Sequence, residues 1–233
     1  MAVQSVQQGL AEFKDELLAE YPFISPKLFQ SELKLHLTIG MVYLLSESEV
    51  MKAKQLLDTK VKDMANQILG DLEQSNIQVK MKGIEIMNDD PYMTDIVYGK
   101  IEDPDELVQS KFRATGPGWR VTPILCQLHI LFSVSNTISS GISDETIGLF
   151  VEAGYSKNEY NRTKVHCTIM NSLFAKEEGD KKRKSFSAAE FMKNEKFLNW
   201  DFGNITIDTI HLNKRFERNE KDGYYNTEHR VIF

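Results

Sequence analysis

Residues 34–39 read Lys-Leu-His-Leu-Thr-Ile, and residues 164–169 read Lys-Val-His-Cys-Thr-Ile. Side chains alternate between the two faces of an extended chain, so Lys34, His36 and Thr38 fall on one face and Leu35, Leu37 and Ile39 on the other. In the second copy Lys164, His166 and Thr168 share a face, opposite Val165, Cys167 and Ile169. The pattern predicts two strands, each with an apolar face in a core and a second face offering a cation, an imidazole and a hydroxyl. The plainer alternative is two ordinary half-buried strands whose histidines are satisfied polar groups. The chain has only 5 histidines, so two His-x-Thr matches with matching apolar spacers and a matching lysine argue against it.

The stretches around these strands have readable periodicities. Leu10, Phe13, Leu17 and Leu18 mark one face of a helix over 5–20 that Pro22 ends. Ser46 with Glu49 forms a capping-box signature, and Val50, Ala53, Leu57, Val61, Met64 and Ile68 predict one long helix stopped by Gly70. Alternation at Ile77, Val79 and Met81, at Ile84 and Ile86, and at Ile96, Tyr98 and Lys100 predicts strands. Asn88-Asp89-Asp90-Pro91 between them has the composition of a turn; its paired carboxylates are read as solvated rather than as metal ligands. Ile147, Phe150 and Val151 predict a helix ended by Gly154. Ser187 with Glu190 predicts a capped short helix, and strands are expected over Ile205–Leu212 and Tyr224–Phe233. Two similar strands, each associated with helices and further strands, imply an α+β fold of two pseudo-repeated lobes with mainly antiparallel sheets.

Composition narrows the class. The 233 residues are 41% hydrophobic, enough to fill a core, and the net charge of −6 argues against coating a nucleic acid by bulk electrostatics. A polyanion would have to be met locally. Cys126 and Cys167 have no metal spacing and suit a reducing compartment. The start, MAVQSVQQGLAEFKDELL, lacks a basic region and an apolar run, so an intracellular protein is expected. Residues 106–140 change character at Gly116-Pro117-Gly118, and the run VTPILCQLHILFSV is too short for a membrane span. His129 and His211 lack a Thr two residues on and are assigned no chemistry. Lys181–Lys184 is read as part of a solvated loop. There is no Walker loop, dinucleotide-binding glycine signature or nucleophile-elbow serine.

Paired His-x-Thr strands resemble those of the 2H phosphoesterase family. The surrounding words KLHLTIGMVYLLSESEV, GIEIMNDDPYMTDIVYGKI and TKVHCTIMNSLF are similar to its kinase-anchoring-protein-7-like branch, which includes the phosphoesterase domain of the KH-containing subunit of the activating signal cointegrator complex. The resemblance covers roughly residues 10–105 and 141–233, so 106–140 is expected to be an insertion in a single domain spanning 1–233. It implies that the two motif strands face each other across a central cleft. It also implies a family strand, and in some relatives a KH domain, ahead of the first helix. An open sheet edge is then expected here, the alternative being that Ile124–Val134 fills the place.

Two histidines facing one cleft suit phosphodiester chemistry without a metal or other cofactor. A neutral imidazole takes a proton from water or a ribose hydroxyl, and a protonated one gives a proton to the leaving oxygen. Thr38 and Thr168 can donate to phosphate oxygens, Lys34 and Lys164 can add positive charge, and Gly40 leaves room for substrate. Near-identical motifs do not say which histidine is the base. The resemblance implies action on RNA ends carrying a 2′,3′-cyclic phosphate or a related phosphodiester. It further implies a place in a nuclear transcription-coactivator and DNA-alkylation-repair complex, with a helicase among the partners, a nuclear or cytoplasmic location and no membrane. The competing reading is a catalytically silent RNA- or nucleotide-binding or interaction module in that complex.

Overall fold

In the computed structural model, residues 5–71, 77–102, 127–133, 141–156, 165–177, 179, 182–207, 209–219 and 224–232 are described. The elements run α1 (Val6–Glu20), β1 (His36–Tyr43), α2 (Glu47–Leu56), α3 (Lys62–Asp71), β2 (Ile77–Ile86), β3 (Ile96–Glu102), β4 (Gln127–Ser133), α4 (Gly141–Glu152), β5 (Cys167–Asn171), α5 (Glu195–Leu198), β6 (Asp201–Ile207), β7 (Thr209–Arg218) and β8 (Tyr225–Ile232). The architecture is α+β. The chain divides into two compact units, one drawn from Met1–His36, Val79–Glu102 and His166–Ile205, the other from Leu37–Gln78, Asp103–Val165 and Thr206–Phe233. The division falls within β1, directly after His36.

In the first unit the strands lie in the order β6-β2-β3-β5, with β2–β3 and β3–β5 antiparallel. Odd-numbered residues of β3 and the apolar residues of β5 build one face: Val97, Gly99, Cys167, Ile169 and Met170 are buried. Gly99 leaves room there for the Met81 side chain, whose Cε would lie 2.0 Å from a Cβ at this position. The apolar stripe of α1 supplies Leu10, Phe13 and Leu17, all fully buried. Phe13 packs within 5.2–5.7 Å of the rings of Phe197, Trp200 and Phe202. Burying a large apolar side chain contributes about 1.5–3 kcal/mol, so this aromatic knot is a major part of the unit's stability. α1 approaches β6 closely enough that a side chain at Gly9 would strike the Phe202 backbone, and the Trp200 Nε1–H donates to the Gly9 carbonyl at 3.2 Å.

Two local expectations change in this unit. The alternation of 77–86 is one strand with a bulge between Met81 and Ile84, made by Gly83 at φ 77°. Asn194, not Ser187, caps the short helix α5 through its side chain. The turn at 88–93 holds as read: Asn88 Nδ2 donates to the Asp90 and Met93 carbonyls, and Asp90 accepts from the Tyr92 N–H. Within the basic run, Lys182 and Lys184 are exposed. Arg183, however, is pinned: it donates to Ser172 Oγ at 2.6 Å and to the Asp95 carbonyl and Asn171 Oδ1 at 2.8 Å, and it pairs with the Asp95 carboxylate. That arginine is a clamp on the ends of β3 and β5 rather than part of a solvated loop.

The second unit has the strand order β1-β4-β7-β8, with β4–β7 and β7–β8 antiparallel. Residues 127–133 were expected to belong to an insertion. They form β4, an interior strand in register with β7 (His129 opposite Asn213, Leu131 opposite His211), so any insertion is narrower than 106–140. Residues 103–126 and 134–140, with Cys126, lie outside the described residues. The long helix predicted after β1 is interrupted: a π-helical turn, Leu57–Val61, joins α2 to α3, and Gly70 lies inside α3 instead of ending it. Ser46 caps α2 as expected, accepting from the Glu49 N–H, while the Glu49 carboxylate reaches the Leu45 N–H. The single strand expected over 205–212 is two strands, β6 and β7. Among the described residues no helix is long and apolar enough to cross a membrane.

Candidate active site

His36 opens β1 directly after a 3-10 turn, Glu32–Lys34. That turn leaves the Lys34 carbonyl 2.8 Å from the His36 Nδ1. A carbonyl only accepts, so Nδ1 carries the proton and a neutral ring keeps its lone pair on Nε2. His36 is 7% exposed, and burial pulls its pKa from 6.5 down to about 4, against the Lys34 hydrogen bond and with help from the charge of His166. Electrostatic coupling between the rings means that the fold has brought the two histidines into one neighbourhood. The ring of His36 is therefore neutral at neutral pH.

His166 is half-buried and lies one residue ahead of β5. Its ring meets Tyr98 edge-on, with centroids 5.4 Å apart and planes at 67°. Tyr98 stands opposite Glu85 on one side and Thr168 on the other. It is almost fully buried, and its phenol is pushed well above its ordinary range, first by burial and then by a hydrogen bond to the Glu85 carboxylate. Cys167, between His166 and Thr168, is buried in the apolar face with its thiol pushed up to about 12 by burial, partly offset by the His36 backbone. It is an inert core residue. The polar face of the first unit's sheet thus carries Glu85, Tyr98, Lys100, His166 and Thr168.

The remaining candidates fall as follows. Thr168 is half-buried on β5 and Thr38 half-buried on β1, two residues beyond His36. Lys34 is not on the strand: it ends the 3-10 turn, and its carbonyl is what orients His36. The space beside Gly40 is taken by the second unit's own helix, since a Cβ there would lie 2.4 Å from Ile147 Cδ1, so this glycine makes room for α4. Lys164 lies outside the described residues. Sequence reasoning assigned no role to Glu85 and Tyr98. Tyr98 was read as an alternating strand residue, but nothing in the sequence gives the register that sets it against Thr168. Lys100 is exposed and has no ion-pair partner among the described residues, whereas its neighbours Lys80 and Lys82 pair with Asp201 and Glu102. Among the described residues no group of three or more His, Cys, Asp or Glu could hold a metal ion.

An α+β fold with antiparallel sheets, in which paired His-x-Thr strands bring two imidazoles into electrostatic contact, defines the 2H-phosphoesterase-like class. The family model of the AKAP7 2′5′ RNA ligase-like domain matches residues 1–114 and 129–233, and the chain belongs to that family. The match resumes inside β4, so that strand is part of the family fold, and the unmatched residues are 115–128. The chain is similar to activating signal cointegrator 1 complex subunit 1 of Mus musculus, at 28% identity over 242 residues that cover 96% of this chain. It spans 58% of that relative's length.

Proposed function

We propose that this domain cleaves phosphodiester bonds at RNA ends, acting on a 2′,3′-cyclic phosphate or a related phosphodiester by acid–base catalysis without a metal. His36 is the general base and His166 the general acid. The observation that carries this reading is the hydrogen bond from His36 Nδ1 to the Lys34 carbonyl, which leaves Nε2 of a neutral ring as acceptor. Burial keeps that ring unprotonated, and the negative charge of a bound phosphodiester raises its proton affinity toward the useful range. His36 takes a proton from water as the water oxygen bonds to phosphorus. The bond from phosphorus to one ribose oxygen breaks, and His166 delivers a proton to that oxygen, giving a phosphomonoester and a free hydroxyl. Thr168 donates to the non-bridging oxygens.

By its name the mouse relative is a subunit of a complex. That name favours a second, compatible reading. The domain serves in a nuclear transcription-coactivator and DNA-alkylation-repair assembly, with a helicase among its partners, and holds RNA or nucleotide there whether or not it turns it over.

The test is to incubate the protein with an oligonucleotide ending in a 2′,3′-cyclic phosphate and follow the ends by mass spectrometry, with EDTA present. A gain of one water is expected, and it is expected to vanish in His36→Ala and His166→Ala. Unchanged ends with the parent protein, with retained nucleotide binding, would leave the binding module as the function.

A further inference from the structure

Three strands contribute to one polar row. Glu85 on β2 is in register with Tyr98 on β3, and Tyr98 is in register with Thr168 on β5. Tyr98 is 1% exposed, so a phenol has been placed on the sheet's polar face and then almost completely covered. The Glu85 carboxylate stands directly across the ladder from this phenol and raises its proton affinity. The ring meets the imidazole of His166 edge-on, at 5.4 Å between centroids and 67° between planes, a geometry that favours one ring plane over others. His166 itself lies one residue ahead of β5.

We propose that Tyr98 is the positioning residue of this site and Glu85 its lock. The ring of Tyr98 sets the plane of the His166 imidazole, and the Glu85 carboxylate fixes the ring through the phenol. The proposal rests on His166 being the proton donor of the site, and it gives that histidine a device which His36 obtains differently, from a backbone carbonyl. Metal-ligating histidines owe their orientation to such supporting groups, and an acid that must meet a leaving oxygen has the same need of a fixed direction. A proton donor out of line costs turnover more than binding, because the donated proton stabilises the transition state and not the bound ground state.

Two readouts separate this proposal from the activity itself. Steady-state kinetics of Tyr98→Leu, Tyr98→Phe and Glu85→Gln on a cyclic-phosphate dinucleotide form the first. Tyr98→Leu is expected to lower kcat at least tenfold with KM within about twofold, Tyr98→Phe to restore most of that loss, and Glu85→Gln to cost a few-fold. The second readout needs no turnover: the pH titration of the His166 ring resonances by NMR in the same variants. Its midpoint and chemical shifts are expected to move in Tyr98→Leu and to return toward the parent values in Tyr98→Phe. A folded Tyr98→Leu protein with parent kcat, or with a loss confined to KM, or with an unmoved His166 titration, would overturn the proposal. A parent protein that turns over no phosphodiester while His166 still responds to Tyr98→Leu would remove the activity and keep the positioning.

Discussion

His36 and His166 occupy corresponding positions of two nearly identical hexapeptides, yet their surroundings share little. His36 is 7% exposed, opens its strand, and is tied through Nδ1 to the carbonyl of the lysine two residues before it. His166 is half-buried, precedes its strand, and is set edge-on against a tyrosine from another strand. The local word delivers an imidazole to the end of a strand. Whether that imidazole is kept neutral is decided by what packs around it, and for His36 burial does so.

The largest effect that could break this comparison is on turnover. His36→Ala and His166→Ala are each expected to lose about 10²–10⁴-fold in kcat with an unchanged thermal unfolding profile. A variant of either that stays within a few-fold of the parent rate would show that the copies are not a catalytic pair.

In the second unit an interior strand comes from a segment that the sequence alone set apart. β4 lies between β1 and β7, and Ile130 pairs with Leu212 in its ladder. Ile130→Pro removes a ladder donor from an interior strand and is expected to cost on the order of 3 kcal/mol, lowering the denaturant midpoint of unfolding. An unchanged midpoint would mean that β4 is dispensable, as an insertion would be.

The asymmetry of the histidines also has a signature in acid. The folded pKa of His36 is depressed to about 4 from 6.5, so as pH falls the unfolded chain takes up this proton first. Stability contributed by the neutral ring is complete above about pH 6.5 and is lost as pH falls to about 4, by about 3 kcal/mol at most. His36→Asn is expected to flatten that part of the stability profile, measured by urea unfolding from pH 7 to pH 4. An equally steep profile in the variant would locate the acid sensitivity elsewhere.

The smallest effect contrasts the polar groups of the two units. In the first, the half-buried Arg183 and the buried Ser172 partner each other. In the second, Asn213 is fully buried on β7, and neither Nδ2 nor Oδ1 has a hydrogen-bond partner among the described residues. Leaving such an amide unpaired costs about 1–3 kcal/mol, and replacing it by an apolar group of similar size removes that penalty. Asn213→Leu is expected to raise stability by about 1 kcal/mol, read as a higher unfolding midpoint. A lower midpoint would show that the amide is satisfied in solution.

How much of this was legible beforehand depends on the range of the interaction involved. The stripe Leu10, Phe13 and Leu17, the Ser46 cap and the turn at 88–91 follow from spacings of three or four residues, and the structure has them where the sequence places them. The apolar faces of both motif copies are likewise legible, because alternation is a property of the extended backbone itself. The break of the long helix into α2, a π-turn and α3 is not, since the apolar spacing is nearly the same through it. The place of β4 between β1 and β7 is not legible either, because a short apolar run without alternation gives no sign of the strand that will pair with it.

The sequence by itself determined that two extended segments each carry imidazole and hydroxyl on one side and apolar residues on the other. Only the tertiary structure decided that the lysine of the first word serves through its carbonyl, that the space at Gly40 goes to Ile147, and that Tyr98 stands between Glu85 and His166. The physical reason is that register across strands and the depth of burial are set by partners distant in the chain. A histidine's proton affinity follows that burial and those neighbours, not the residues beside it in sequence.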